Sequence, residues 1–349
     1  MRCRLPWRSV HGSGHDGRGV NNATRVPHDG WSAAESGSRT SYAYFQMKAS
    51  GPIAWLTASR RQPIGLGASA IAAVLWGLAG IFAVLISAPG LVLSFYRLWL
   101  WAALLAIVVY GSGRRLTWAT MRASWLGGVF LAGDMAMFFS AVKLTSIVDA
   151  TVIGAFQPVL VLITARRLFG ERMGRWDVFW ILLAMAGVTV AVLGPGVTSP
   201  HQMTGDLLAV GALLCWSAYW LVSKRARELH DAMEYTAGVT IIAALTMIPI
   251  VFLSGQSLGR VEAGDWLWIF LLAIVPGGAH LVMNWAHRYV EASVSSAISC
   301  LSPLVAAVAA MVILGQTLTV VQVCGVLVGL AAIAVVAARH IEPVGSQLE

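Results

Sequence analysis

The sequence predicts an all-α integral membrane protein of ten transmembrane helices, arranged as two inverted five-helix repeats. Three observations predict it. Apolar residues fill 58% of the 349 positions and charged residues only 11%, against about 25% charged in an ordinary soluble domain. The apolar residues fall into stretches of roughly 20, the length that crosses a bilayer as a helix. The two halves of the chain also place matching residues at matching offsets. A soluble protein of this composition could not cover its surface with polar groups. That excludes a soluble enzyme with a Rossmann, barrel or sandwich core, and a soluble domain on a lone anchor. The net charge of +8 does not signal nucleic acid, because membrane proteins concentrate Lys and Arg in cytoplasmic loops.

Residues 1–63 differ from the rest: they are rich in Gly, Ser, Arg and His, without helical or alternating apolar period. Such a segment buries too little apolar surface to order itself and reads as a cytoplasmic tail. Met47, followed by Lys48 and Arg60-Arg61, offers an alternative start with a basic lead-in to the first span. The expected spans are 66–86, 91–110, 124–142, 147–168, 177–195, 206–224, 235–254, 265–286, 294–314 and 318–338. Turn chemistry separates them at Ala88-Pro89-Gly90, Gly111-Ser112-Gly113, Gly194-Pro195-Gly196 and Gly315-Gln316. They group into a first repeat at 64–196 and a second at 204–338, with a short tail at 339–349. Short connections force neighbouring spans antiparallel. With the N-terminus inside, loops and ends on the cytoplasmic side, leaving out the N-terminal tail, carry 12 Lys and Arg; the outer loops carry only Lys143 and Arg260. Both termini are therefore expected in the cytoplasm of a cell with this protein in its plasma or inner membrane.

At an offset of 140, Ala72 and Trp76 align with Ala212 and Trp216. At an offset of 145, Ala141, Lys143, Pro158 and Gly170 align with Ala286, Arg288, Pro303 and Gly315. Five spans per half is an odd number, so the second half is inverted in the membrane. In such repeats, exchange of conformations between the halves gives access from alternate sides to a midplane site. Trp76-Gly77, Thr145 to Ala150, Pro158, Gly170-Glu171 and Gly187, with Pro303, Gly315-Gln316 and Gly325 in the second half, resemble the EamA family of the drug/metabolite transporter superfamily. The likeness covers about residues 66–338 and departs from the family's frequent Gly-Glu pair at Gln316. It implies a ten-helix carrier that exports or imports small molecules, with amino acids, other metabolites and toxic compounds among the family's substrates. The expected function is a secondary-active exporter of small metabolites such as amino acids or related compounds.

Pro158 and Pro303 cannot donate to the carbonyls of Gly154 and Ser299, so each is expected to break its span and expose a carbonyl to a cavity. Pro276-Gly277-Gly278 is expected to break the eighth span more strongly, as a hinge. Asp134 is the acidic residue nearest the middle of a span, roughly 15 and 12 Å from its ends at 1.5 Å per residue. A charge at that depth must face the bundle interior, pair, or take a proton, which makes Asp134 the coupling candidate. Arg97 is expected to snorkel to the external surface, with attraction of an anionic substrate or pairing to Asp134 as the alternative. His280, Asn284 and His287 form one stripe of the eighth span, expected to face the cavity. Trp76, Phe138, Gln157, Trp216, Tyr219 and Trp285 complete the substrate-cavity candidates, with Trp216 and Tyr219 able to stack on a partly apolar substrate.

No residue is expected to be catalytic. Leu131-Ala132-Gly133-Asp134 falls one glycine short of the intramembrane protease pattern, and neither HExxH, G-x-S-x-G nor a phosphate-cradling loop occurs. Cys3, Cys215, Cys300 and Cys324 show no paired spacing, so neither metal nor cofactor is expected. The expected partners are a small-molecule substrate and the lipid bilayer, with a homodimer left open. A lipid or lipid-linked-sugar flippase is the alternative, and an integral membrane enzyme acting on lipid a poorer one.

Overall fold

The computed structural model describes residues 52–144, 147–171, 173–192, 203–259, 261–314 and 319–340. The Met47 start, most of both tails, and the Gly194-Pro195-Gly196 and Gly315-Gln316 turns lie outside the described residues. Every regular element among the described residues is helical: α1 Pro52–Gly77, α2 Ala79–Leu85, α3 Gly90–Gly111, α4 Trp118–Leu144, α5 Ile147–Gly154, α6 Gln157–Leu168, α7 Arg175–Val192, α8 Met203–Arg227, α9 Ala232–Leu253, α10 Asp265–Ala286, α11 Ala292–Ser299, α12 Leu301–Leu314 and α13 Val320–Arg339. Nine stretches among the described residues are long and apolar enough to cross a membrane. This is a multi-pass membrane protein. The first helix begins at Pro52, well before the expected 66, because a proline fits the first helical turn, where its missing N–H costs nothing.

Where the sequence has a proline near the middle of a span, the outcome depends on what surrounds it. The stretch 147–168 divides into α5 and α6. The amides of Ala155 and Phe156 bond three residues back, to Val152 and Ile153, and Pro158 falls in the first turn of α6. The stretch 292–314 divides in the same way at Cys300, whose amide bonds to Ala297, just ahead of Pro303. Pro276 does not break its helix: α10 runs unbroken from Asp265 to Ala286. One missing N–H removes one ladder bond. Gly277, lying directly against the Trp101 indole of α3, compensates by letting the two helices pack closely.

The helix α4 packs along α8 and α9, α3 packs on α9, and α10 packs on α2 and α3. The pair α7 and α13 forms a second unit of packing, and α6 meets α11. Glycine sets the α7–α13 approach. A Cβ on Gly187 would stand 2.6 Å from the Gly329 nitrogen and 2.9 Å from the Gly325 oxygen.

Hydrogen bonds sort the loops into two ends. At one end, Lys143 donates to the carbonyls of Ile86 at 2.7 Å and Ala83 at 3.3 Å. Beside it, Asp265 accepts from Ser87 Oγ at 2.7 Å and from the amides of Ser87 and Ala88. At the other end, Arg114 pairs with Asp231 at 2.6 Å and Arg339 with Asp177 at 2.7 Å. There, too, Lys224 donates to the carbonyls of His287 and Val290, both at 2.6 Å. Glu171 is buried at this end and accepts from the Ala292 amide at 2.8 Å, the Ser293 amide at 3.0 Å and Ser293 Oγ at 2.6 Å. It thus caps α11 from a distant loop, beyond Gly170, whose φ of +69° makes the turn out of α6.

Candidate functional site

The two broken spans meet at a cavity of about 200 Å³. The break in each frees backbone groups, and a side-chain bond ties the two breaks together: Ser299 Oγ donates to Gln157 Oε1 at 3.0 Å. Pro158 and Pro303 both line the cavity. The lining belongs to the half of the bundle that ends at Lys143 and Asp265. It takes Ala150 and Gly154 from α5, Ala209 and Ala212 from α8, and Ala306 from α12.

An aromatic layer closes the cavity on its other side. Trp76 stands edge-on to Trp216, with ring centroids 5.0 Å apart, and 5.2 Å from His280. Trp216 stacks on Tyr219 at 5.3 Å. Below this layer Trp220 is fully buried, 4.9 Å from the His287 ring. Further toward the Lys224 end, the Asn284 amide donates to Tyr219 Oη at 3.1 Å and Thr236 Oγ1 at 3.0 Å, and Arg227 donates to the Asn284 carbonyl. A buried polar network of this kind holds helices in one arrangement.

Of the candidates read from sequence, Trp76, Asp134, Phe138, Gln157, Trp216 and His280 line the cavity. Tyr219, Asn284 and Trp285 do not. Tyr219 reaches it only by backing Trp216, Asn284 serves the interhelical network, and Trp285 packs on Tyr289 at 4.8 Å. The expected polar stripe therefore contributes His280 alone, because the helix turns Asn284 and His287 into packed interfaces. Arg97 corrects a further expectation. It does not snorkel but is only 4% exposed and lines the cavity with Asp134. Its Nη1 lies 3.0 Å from the Met135 sulfur and its guanidinium 5.3 Å from the Phe139 ring centre. Sequence reasoning missed Ala209, Ala212 and Leu213 of α8, although their spacing to Trp216 marks one helical face. The offset that aligned the two prolines also pairs Gly154 with Ser299, and both line the cavity. Among the described residues, no group of three or more His, Cys, Asp or Glu is placed to hold a metal ion.

The model of the EamA-like transporter family matches this chain twice in succession, at residues 63–193 and 203–338. The chain belongs to the EamA-like transporter family. Each EamA match holds one of the two broken spans. The threonine/homoserine exporter RhtA of Escherichia coli (strain K12) is 30% identical over 206 residues, 56% of this chain and 64% of that protein. The aromatic amino acid exporter YddG of Ancylobacter novellus is 27% identical over 248 residues, 67% of this chain and 84% of its own length. An uncharacterized transporter of Archaeoglobus fulgidus is 24% identical over 265 residues, 75% of this chain and 92% of its own. The chain thus spans slightly under two thirds of the length of the exporter RhtA that it matches. A solved crystal structure shares the fold with a TM-score of 0.67 at 21% identity, covering 79% of this chain and 97% of that one.

Proposed function

We propose that this EamA-like protein is a secondary-active carrier that exports small metabolites, amino acids or related compounds, by alternating access. The observation that carries the reading is the cavity at the junction of two broken spans, one from each matched half, holding Asp134 and Arg97. Ten helices in two inverted repeats underlie it. Exchanging the first five spans for the last five turns the packing of α4 on α8 into that of α10 on α2, and α4 on α9 into α10 on α3. The same exchange returns α3–α9, α7–α13 and α6–α11 to themselves. That pattern supports a pseudo-two-fold axis in the membrane plane, the design in which the halves swap conformations about a central site.

The basic Lys224 end is the cytoplasmic one in this reading, on the distribution of Lys and Arg. The aromatic layer and the network below it then lie between the cavity and the cytoplasmic side. Asp134 is the candidate for coupling transport to a proton gradient. The names of RhtA and YddG support amino-acid export as the cargo class.

The experiment is counterflow in proteoliposomes loaded with unlabelled amino acids. Uptake of labelled amino acid against the preload, absent from protein-free vesicles, is expected. Vesicles that exchange no amino acid while retaining folded protein would remove amino acids as cargo. A flippase is the second reading, favoured by an aliphatic groove of about 360 Å³ between α12 and α13, lined by Leu304, Val308, Val326 and Leu330. Scrambling of a fluorescent lipid in the same vesicles would support it over the first.

A further inference from the structure

Arg97 on α3 and Asp134 on α4 are both nearly fully buried, and both line the cavity. Their side chains make no ion-pair contact: the described pairs are Arg114–Asp231 and Arg339–Asp177. The guanidinium has five N–H donors. One is aimed at the Met135 sulfur, a weak acceptor, and the Phe139 ring takes its face. Three more buried groups lining the cavity are unpartnered among the described residues: Trp76 Nε1, Gln157 Nε2 and His280 Nδ1. Buried polar atoms cost free energy unless something bonds to them, and three such groups line the cavity beside the two charged side chains.

Two opposite charges that face one cavity without ion-pair contact suit a ligand that carries both. We infer that this cavity binds a zwitterion, an α-amino acid whose carboxylate meets Arg97 and whose ammonium meets Asp134. Trp76, Trp216 and Phe138 take its side chain. A monovalent cation or anion would leave one buried charge unmatched, whereas a zwitterion matches both while adding no net charge to the membrane core. The indole and amide N–H groups of Trp76 and Gln157 then stand as extra donors toward the carboxylate. The aromatic faces favour an apolar side chain over a charged one. At about 200 Å³ the cavity lies below the roughly 300–1,000 Å³ usual for drug-sized ligands, a scale suited to one small molecule. This inference rests on the carrier reading and names the cargo's two poles.

The test works first from the ligand, so it does not depend on any variant folding. Thermal stabilisation of the purified protein is measured with the twenty amino acids. The carboxamide and the N-acetyl derivative of the best one follow, each lacking one pole. Both derivatives should bind at least tenfold more weakly, the loss of one charged hydrogen-bonded contact. In Arg97→Gln the acid and its carboxamide should become equal while the N-acetyl derivative stays weak. In Asp134→Asn the discrimination against the N-acetyl derivative should vanish while that against the carboxamide persists. If no amino acid stabilises the protein, or if both derivatives bind as tightly as the parent, the zwitterion site is wrong. Unchanged discrimination in both variants would remove Arg97 and Asp134 as its poles. Counterflow of some non-zwitterionic metabolite would sink this inference while sparing the carrier. Stabilisation by an amino acid without any transport would do the reverse.

Discussion

Asp231 caps α9 by accepting the Met233 amide at 3.0 Å, and it receives Arg114 at 2.6 Å. Burial pushes its carboxyl up, but the Met233 amide and the Arg114 charge outweigh burial and hold it below its ordinary value. A depressed carboxyl contributes its stability above the unfolded value and loses it as pH falls through the folded one. Asp231→Ala should therefore cost about 1 kcal/mol at neutral pH, the usual worth of an N-cap. The half-exposed ion pair adds little to that figure. The gap between variant and parent should close in acid, below the ordinary carboxylate range. Thermal unfolding in detergent across that range checks it, and a gap that stayed constant would show that the carboxylate's charge is not what matters. The cap was within reach of sequence, since an Asp ahead of an apolar run is a strong N-terminal signal. Asp134 was legible for a similar reason: an isolated carboxylate in a span has few places it can go. Arg97 was not, because seven residues into an almost wholly apolar helix, a long side chain can reach either the lipid–water boundary or the interior. Only the neighbouring helices decide between those two.

At the scale of the element, Gly187 and Glu171 make opposite demands. Gly187 must stay small: a Cβ there would meet the backbone of Gly329 and Gly325, which cannot rotate away as a side chain can. Gly187→Ala should separate α7 from α13 and cost roughly 1–3 kcal/mol, the range for overpacking. An unchanged unfolding temperature would mean the two helices slide apart freely. Glu171 must stay charged, because it alone answers three donors at the start of α11. Hydrogen bonds to a charged group contribute roughly 1.5–3 kcal/mol each, net of competition with water. In Glu171→Gln the Ala292 and Ser293 amides should lose protection in hydrogen exchange, while α4 and α9 keep theirs. Equal exchange in both proteins would show that α11 is held by packing alone. The broken spans were legible at Pro158 and Pro303, where the missing donor falls beside a cavity rather than a tightly packed helix. Pro276 carries the same local signal, yet α10 stays whole, because Gly277 admits the Trp101 indole and tertiary contact outweighs one lost bond. Proline reports a missing donor; the neighbours determine whether the helix parts.

For the whole molecule, the charge asymmetry between the loops sets the direction of insertion, and that is testable without knowing the cargo. In a background lacking the native cysteines, a cysteine at Ser257, exposed in the loop before α10, should react with an impermeant thiol reagent in intact cells. One at Ser112, exposed after α3, should react only after permeabilisation. Equal reaction at both would overturn the assignment of the Lys224 end to the cytoplasm. Two matching halves were legible because Pro158 and Pro303 recur at one offset, and the family model matches each half, whereas the cavity between the breaks was not, since it depends on how distant spans pack. In the proposed carrier, the coupling of that cavity to a gradient would turn on Asp134. Asparagine at this position keeps the size and hydrogen-bonding capacity of the side chain but can neither hold a charge nor release a proton. With the carboxylate pole at Arg97 intact, Asp134→Asn should still bind cargo, at a raised half-saturation, and should still exchange it in counterflow at high concentration. Accumulation driven by a pH gradient should be abolished, because the carboxyl proposed to carry the proton between the two faces of the membrane is gone. A purely structural carboxylate would behave differently: its loss would lower yield and thermal stability together, and exchange would fall in step. If the variant instead accumulates cargo at the parent's rate with the parent's pH dependence, proton coupling at Asp134 is excluded and the gradient must act elsewhere in the bundle.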